Sequence, residues 1–172
     1  MNRSDFKKNI KTLLKPPVIS WALYDLANTS FAVIIITIVF PVYFTSIIAS
    51  PEIYPPNFGD LMWGIASGTS MIITALLAPL FGAIADTSRS KNKFLISLTL
   101  ACILFSFLLF FLDKGMVALA VIIFIISNVF YQTSMIFYNS FLPQLSTKRT
   151  IGLMSGFGFS VSYLGGLIIL KK

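Results

Sequence analysis

Residues 21–44 read WALYDLANTSFAVIIITIVFPVYF, an almost unbroken apolar run that begins beside one carboxylate, Asp25. The run is longer than the roughly 20 residues that an α-helix needs to cross a bilayer. A carboxylate is costly in hydrocarbon, so its place at the start of the run needs an explanation. The run predicts a transmembrane helix, and Asp25 is either part of a solute path or a helix-entry anchor near the membrane interface.

The composition of the whole chain favours a membrane protein. It has 172 residues, of which 56% are hydrophobic and 11% charged, and a mean hydropathy of +0.87. A soluble domain carries about a quarter charged residues. The single cysteine, Cys102, and the absence of histidine from the sequence exclude a disulfide within the chain, a His/Cys metal cluster and a histidine base. We therefore expect no metal, no cofactor and no enzymatic activity, because no nucleophile–base pair is visible.

Five long apolar segments divide the chain. The predicted transmembrane helices cover about residues 19–48, 61–85, 94–112, 116–141 and 151–170. These runs are too long and too continuous for the alternating pattern of a membrane β-barrel. The sequence thus predicts an all-α polytopic membrane protein with a basic amino-terminal segment, residues 1–18, and a helical bundle, residues 19–170. Pro41 and Pro79 fall inside the first two helices and are expected to distort them.

Lysine and arginine cluster on one side of this zigzag. They precede helix 1 and occupy the connections between helices 2 and 3 and between helices 4 and 5. Positive residues accumulate on the cytoplasmic side of membrane proteins. The pattern predicts a cytoplasmic amino terminus and residence in the cell (inner) membrane. It also explains the net charge of +7 without a nucleic-acid partner.

Polar side chains concentrate in helices 1 and 4. Asp25 and Asn28 share a face of helix 1, and Asn128, Gln132 and Asn139 lie near one face of helix 4. Amides in a bilayer need partners, so these faces should point into the bundle or a wet cavity. We predict that the five residues line a substrate path. For Asn128 and Gln132, hydrogen bonding between helices alone is an equally good interpretation.

Helices 2 and 5 are rich in small residues, which let two helix backbones approach closely. The spacing favours fixed packing over a sliding interface. The predicted packing positions are Gly64, Gly68, Gly156, Gly165 and Gly166.

The loop after helix 2 reads GAIADTSRSK, residues 82–91, and is similar to the loop motif of the major facilitator superfamily at Gly82, Asp86 and Lys91. Arg89 and Ser90 depart from the motif, so its charge lock is expected to be weakened or rearranged. Without the resemblance, Asp86 would be read simply as the end of helix 2. Three further stretches are similar to the branch of autophagy-related vacuolar amino-acid effluxers and their bacterial relatives. These stretches are SWALYDLANTSFA (20–32), FYNSFLPQL (137–145) and SGFGFSVSYLGG (155–166).

The resemblance implies an incomplete six-helix amino-terminal half of a twelve-helix transporter whose solute site lies between two halves. The expected function is the amino-terminal part of a secondary active transporter for a small solute, with amino acids suggested, working by alternating access and not competent alone. Asp25 would be a proton or cation site. The implied partners are the lipid bilayer, the solute, and a missing carboxy-terminal half or a partner chain. The alternative is a small multi-pass scaffold or assembly subunit, in which the glycines form oligomer interfaces.

Overall fold

Five helices that are long and apolar enough to cross a membrane make up the described chain. The structure is a computed structural model that describes residues 12–170, with side chains through residue 168. Helices 1 to 5, numbered in chain order, are Pro16–Ile48, Phe58–Thr87, Lys91–Phe111, Val117–Leu145 and Ile151–Leu170. All regular structure in residues 12–170 is helical, which confirms the predicted all-α polytopic fold. Residues 1–11 of the predicted basic segment, 1–18, lie outside the described residues.

The ends of the helices follow local chemistry. Helix 1 begins slightly earlier than predicted, at Pro16, because proline fits the first turn, where its missing N–H costs nothing. Helix 2 begins after Asn57, whose φ of 65° places it in the left-handed region and turns the chain into the helix. Asp60 lies in the first turn of helix 2, where a carboxylate interacts favourably with the helix dipole.

Helix 1 is interrupted rather than uniform. An α-helix over Pro16–Phe31 is followed by a π-helical segment, Ala32–Thr37, and the regular helix breaks at Ile38, with φ −124° and ψ −64°. A proline ring collides with the carbonyl four residues earlier, so Pro41 accounts for the irregularity at Thr37 and Ile38. Helix 2 stays α-helical through Pro79.

The exterior is strongly apolar. Leu76 is 75% exposed and Phe110 is 82% exposed, and most other exposed large side chains on the helices are also aliphatic or aromatic. A water-soluble surface does not present apolar side chains on this scale. Lipid is the environment that such a surface suits.

The chain divides into two compact units: residues up to Ile34 together with those from Ser140 onward, and Ile35–Asn139. In the first unit, the α-helical part of helix 1 packs against helix 5. The indole ring of Trp21 lies directly against Gly158. A Cβ atom built at Gly158 would lie 2.5 Å from that ring. A Cβ at Gly165 would similarly come within 2.8 Å of Leu26. The two glycines therefore set the closeness of this helix pair.

In the second unit, helix 4 packs against helices 2 and 3 around an aromatic core. The ring centroids of Trp63 and Phe124 lie 4.3 Å apart, and Phe40 stacks on Phe124 at 6.3 Å. Phe44 joins the same cluster, with its ring centroid 5.7 Å from that of Trp63. Aromatic rings packed at these separations contribute more than their buried area alone.

Two loops of the second unit are tied together at one end of the bundle. The N–H of Gly115 donates to the carbonyl of Ile48 at 2.9 Å, and the hydroxyl of Tyr54 donates to the carbonyl of Gly115 at 3.2 Å. Lys114 forms an ion pair with Glu52. The hydrogen bond from Lys114, reinforced by its charge, lowers the pKa of the Glu52 carboxyl below its usual 4.5.

Cys102 is a buried free thiol on helix 3. Its sulfur lies 3.9 Å from the hydroxyl of Ser127 on helix 4, and Ser106 Oγ and Ser127 Oγ lie 2.9 Å apart. Hydroxyls in a membrane protein find partners across helix interfaces. This group therefore contributes a polar link between helices 3 and 4.

Candidate functional site

Helices 1 and 5 enclose a cleft of about 390 Å³ in the first unit. Its volume falls within the range of small-molecule sites. The lining residues are Asp25, Thr29, Val33, Phe159, Ser162, Tyr163, Gly166 and Leu167. Positions four apart lie on one face of a helix, which brings Asp25, Thr29 and Val33 to the same side of helix 1.

Asp25 is the one charged side chain in the described lining. The hydroxyl of Ser162, which is 6% exposed, donates a hydrogen bond to its Oδ2. The hydroxyl of Thr29 donates instead to the backbone carbonyl of Asp25 at 3.0 Å. The carboxylate is thus held by a neutral donor from helix 5, with no lysine or arginine among the described lining residues.

The outer wall of the cleft is aromatic. Phe159 and Tyr163 lie four residues apart on helix 5, with ring centroids 4.6 Å apart and an angle of 46° between the planes. Both are more than 60% exposed in the described chain. The cleft therefore combines one carboxylate at its base with an aromatic pair at its rim.

The predicted path residues fall into both units. Asp25 lines the cleft, whereas Asn28 is half-buried on the same helix and is not among the lining residues. Asn128 belongs to the second unit, where its Nδ2 donates to Ser70 Oγ of helix 2 at 2.7 Å. This contact is a hydrogen bond between helices, as expected if Asn128 serves helix packing alone. A path role for these residues stays a prediction.

Asn128 is 1% exposed, and its Oδ1 has no hydrogen-bond partner among the described residues. Gln132, one turn further along helix 4, is half-buried, and Asn139, the last residue of the long α-helical part, is exposed. The three amides therefore differ in environment although the sequence places them near one face. Among these three amides, burial decreases from Asn128 through Gln132 to Asn139.

The loop motif occupies the connection between helices 2 and 3. Asp86 lies in the last turn of helix 2 and is exposed, and Lys91 is the first residue of helix 3. Within residues 12–170 the ion pair of the structure joins Lys114 to Glu52, so Asp86 has no ionic partner there. A carboxylate near a helix carboxyl terminus is unfavourable for the dipole, so Asp86 is a poor terminating residue.

The predicted packing glycines also divide into two groups. Gly165 and Gly166 lie against Leu26 and Thr29 of helix 1. A Cβ added at Gly64, Gly68 or Gly156 would meet nothing within 4 Å in the described chain. A packing role for these three residues remains a prediction that concerns surfaces beyond the described contacts.

Sequence reasoning did not select Thr29, Phe159, Ser162 or Tyr163 as site residues. Thr29 follows Asp25 by one helical turn, so the spacing could have indicated it. The three helix 5 residues reach the cleft only because helix 5 pairs with helix 1. A single sequence carries no direct signal for that pairing.

Two curated relatives match the chain over most of its length. One is the "Uncharacterized MFS-type transporter YxiO" of Bacillus subtilis, 28% identical over 87% of this chain and 35% of the relative. The other is an "Uncharacterized protein" of Aquifex aeolicus, 31% identical over 95% of this chain and 38% of the relative. The chain thus spans less than two fifths of the length of either relative. No solved structure matches it significantly.

Five bilayer-length helices define a protein of the lipid bilayer, and the chain is similar to part of an MFS-type transporter. The family model described as "Vacuole effluxer Atg22 like" matches residues 62–170, which is more than half of the chain. The chain belongs to this family. The resemblance drawn from the motifs is confirmed.

Proposed function

We propose that this chain forms the amino-terminal wall of the solute path in a secondary active transporter for a small solute, with amino acids as the first candidates. The cleft at Asp25 carries the proposal, because a carboxylate inside a membrane bundle defaults to a functional role. Asp25 serves as a proton or cation site, and alternating access comes from rocking two bundles around it. The family description, a vacuole effluxer, supports transport rather than catalysis.

The same proposal assigns roles to the other predicted residues. Asn28, Asn128, Gln132 and Asn139 contribute to the path, and Gly82, Asp86 and Lys91 form a weakened or rearranged cytoplasmic lock whose partner site lies in the remaining part of the transporter. Exposure of Asp86 without an ionic partner in the described chain fits a contact made elsewhere. The amino terminus is cytoplasmic, and the chain resides in the cell membrane.

Transport can be tested by joining this chain to the remaining part of the Aquifex aeolicus relative and reconstituting the product in liposomes. We expect counterflow of radiolabelled leucine, and we expect Asp25→Asn to reduce the rate at least tenfold, because the isosteric amide keeps the shape and removes the charge. Asp113→Asn, at an exposed acid outside the cleft, is the matched control and should leave the rate unchanged.

Two results would contradict this assignment. Full transport by the Asp25→Asn variant would remove Asp25 from the mechanism. If the folded fusion protein transported none of the common amino acids, the proposal that this chain forms part of the solute path would be wrong.

The scaffold alternative has one observation in its favour. Gly64, Gly68 and Gly156 leave open space along helices 2 and 5, and such surfaces suit another helix. A homogeneous oligomer of the 172-residue chain in detergent, lost when these glycines become leucine, would support the scaffold. A monomer that assembles only with a carboxy-terminal half supports the transporter.

A further inference from the structure

The charge balance of the cleft indicates what it can bind. Ser162 donates one hydrogen bond to Asp25, but a hydroxyl supplies no positive charge. The described lining contains no lysine or arginine. A carboxylate at membrane depth normally pairs with a positive group. A cationic group that enters the cleft would supply the missing charge.

The remaining lining favours an organic cation over a metal ion. Hard metal cations take about six or more oxygen ligands at short distances. Here the Thr29 hydroxyl is directed to a backbone carbonyl and the Ser162 hydroxyl to the carboxylate itself. The rest of the described lining is largely apolar, with Val33 and Leu167 among its members.

The aromatic rim supplies a second attraction for an organic cation. An ammonium group within about 6 Å of an aromatic face is attracted by the ring quadrupole. Phe159 and Tyr163 form a tilted pair, 4.6 Å between centroids, beside the carboxylate. A protonated amine could thus contact Asp25 while its apolar body lies against the rings and aliphatic side chains.

We propose that this cleft binds the protonated amino group of a small organic amine with an apolar body. The proposal deepens the proposed function and rests on it, because it names the end of the solute that this half of the transporter recognises. The described lining offers no basic partner to a solute carboxylate, so this cleft does not bind the carboxylate group of an amino acid.

The test compares two ligands of matched shape and opposite charge. The chain is purified into lipid nanodiscs, and binding of radiolabelled phenethylamine and 3-phenylpropionate is measured against empty nanodiscs. We expect saturable binding of the amine, at least tenfold tighter than that of the carboxylate. Asp25→Asn should weaken amine binding about tenfold or more, since it removes a charge-assisted contact.

Two further variants keep the test independent of folding. Phe159→Leu lies at the exposed rim, where substitution is tolerated, and should weaken amine binding roughly two- to fivefold by removing a cation–π contact. Asp113→Asn, outside the cleft, should bind the amine like the unmodified chain.

Each alternative outcome separates this inference from the proposed function. Equal or tighter binding of the carboxylate, or amine binding unaffected by both Asp25→Asn and Phe159→Leu, overturns amine recognition. Leucine counterflow by the fusion protein would still stand in that case. Absence of binding by either ligand, together with absence of counterflow, overturns both.

Discussion

Asp25 is held by Ser162 and shares its cleft with two aromatic rings. Residue chemistry alone explains this carboxylate equally well as part of a solute path or as a helix-entry anchor, and the family resemblance favours the path. An anchor at the membrane interface needs only water and lipid headgroups. A buried serine directed at the carboxylate, in a cleft of ligand size, favours the path.

Asn128 allows the packing and path interpretations to be separated. Its hydrogen bond to Ser70 is buried, so Asn128→Ala should lower the free energy of unfolding by about 1–2 kcal/mol. Unfolding in mixed micelles would measure this loss. Combined with Ser70→Ala, a double-mutant cycle should give a coupling of roughly 0.6–1.7 kcal/mol.

Gln132→Ala serves as the control for Asn128, because Gln132 is only half-buried on the same helix. Its effect on stability should stay within about 0.5 kcal/mol. An Asn128→Ala variant of unchanged stability but impaired counterflow would contradict the packing interpretation and support the path.

The pairing of helix 1 with helix 5 depends on small residues at the contact. Gly158→Ala places a methyl group against the Trp21 ring, where a Cβ would lie at 2.5 Å. Because Trp21 is buried, it cannot easily move aside, and overpacking of this kind costs about 1–3 kcal/mol. The expected result is a lower melting temperature of the purified chain in detergent.

Gly156→Ala is the matched control on the same helix, since its Cβ would meet nothing within 4 Å. Alanine favours a helix over glycine by up to about 1 kcal/mol, so this variant should be equally or more stable. Equal destabilisation by both substitutions would show that the glycines act through backbone flexibility and not through close packing.

The number of long helices and their approximate positions could be predicted from the sequence, because a membrane span is a long run of high hydropathy. The interior of helix 1 could not be predicted in this way. A proline at position 41 predicts a distorted helix. Tertiary packing then determines whether the distortion is a simple bend or a set of π-helical turns. Asp25 is the cleft residue that the sequence indicated as part of a path. The face of helix 1 that lines the cleft with it, Thr29 and Val33, was not indicated, and the contribution of helix 5 depends on a helix pairing that hydropathy does not encode.

Across the chain as a whole, lysine and arginine placement predicts which loops face the cytoplasm. Single cysteines introduced at Asp113 and at Lys148 test this in intact cells with a membrane-impermeant maleimide. We expect Asp113→Cys to react from outside and Lys148→Cys to react only after the cells are opened. The reverse pattern would invert the proposed orientation.

The burial of Cys102 has a practical consequence for such work. The thiol is only 7% exposed and is packed between helices 3 and 4, and buried thiols react slowly because reagents do not reach them. Thiol reagents should therefore label an introduced cysteine and leave the native Cys102 unlabelled. A pair of spin labels, one in each of the two compact units, could report interprobe distances during solute addition without replacing a single native cysteine.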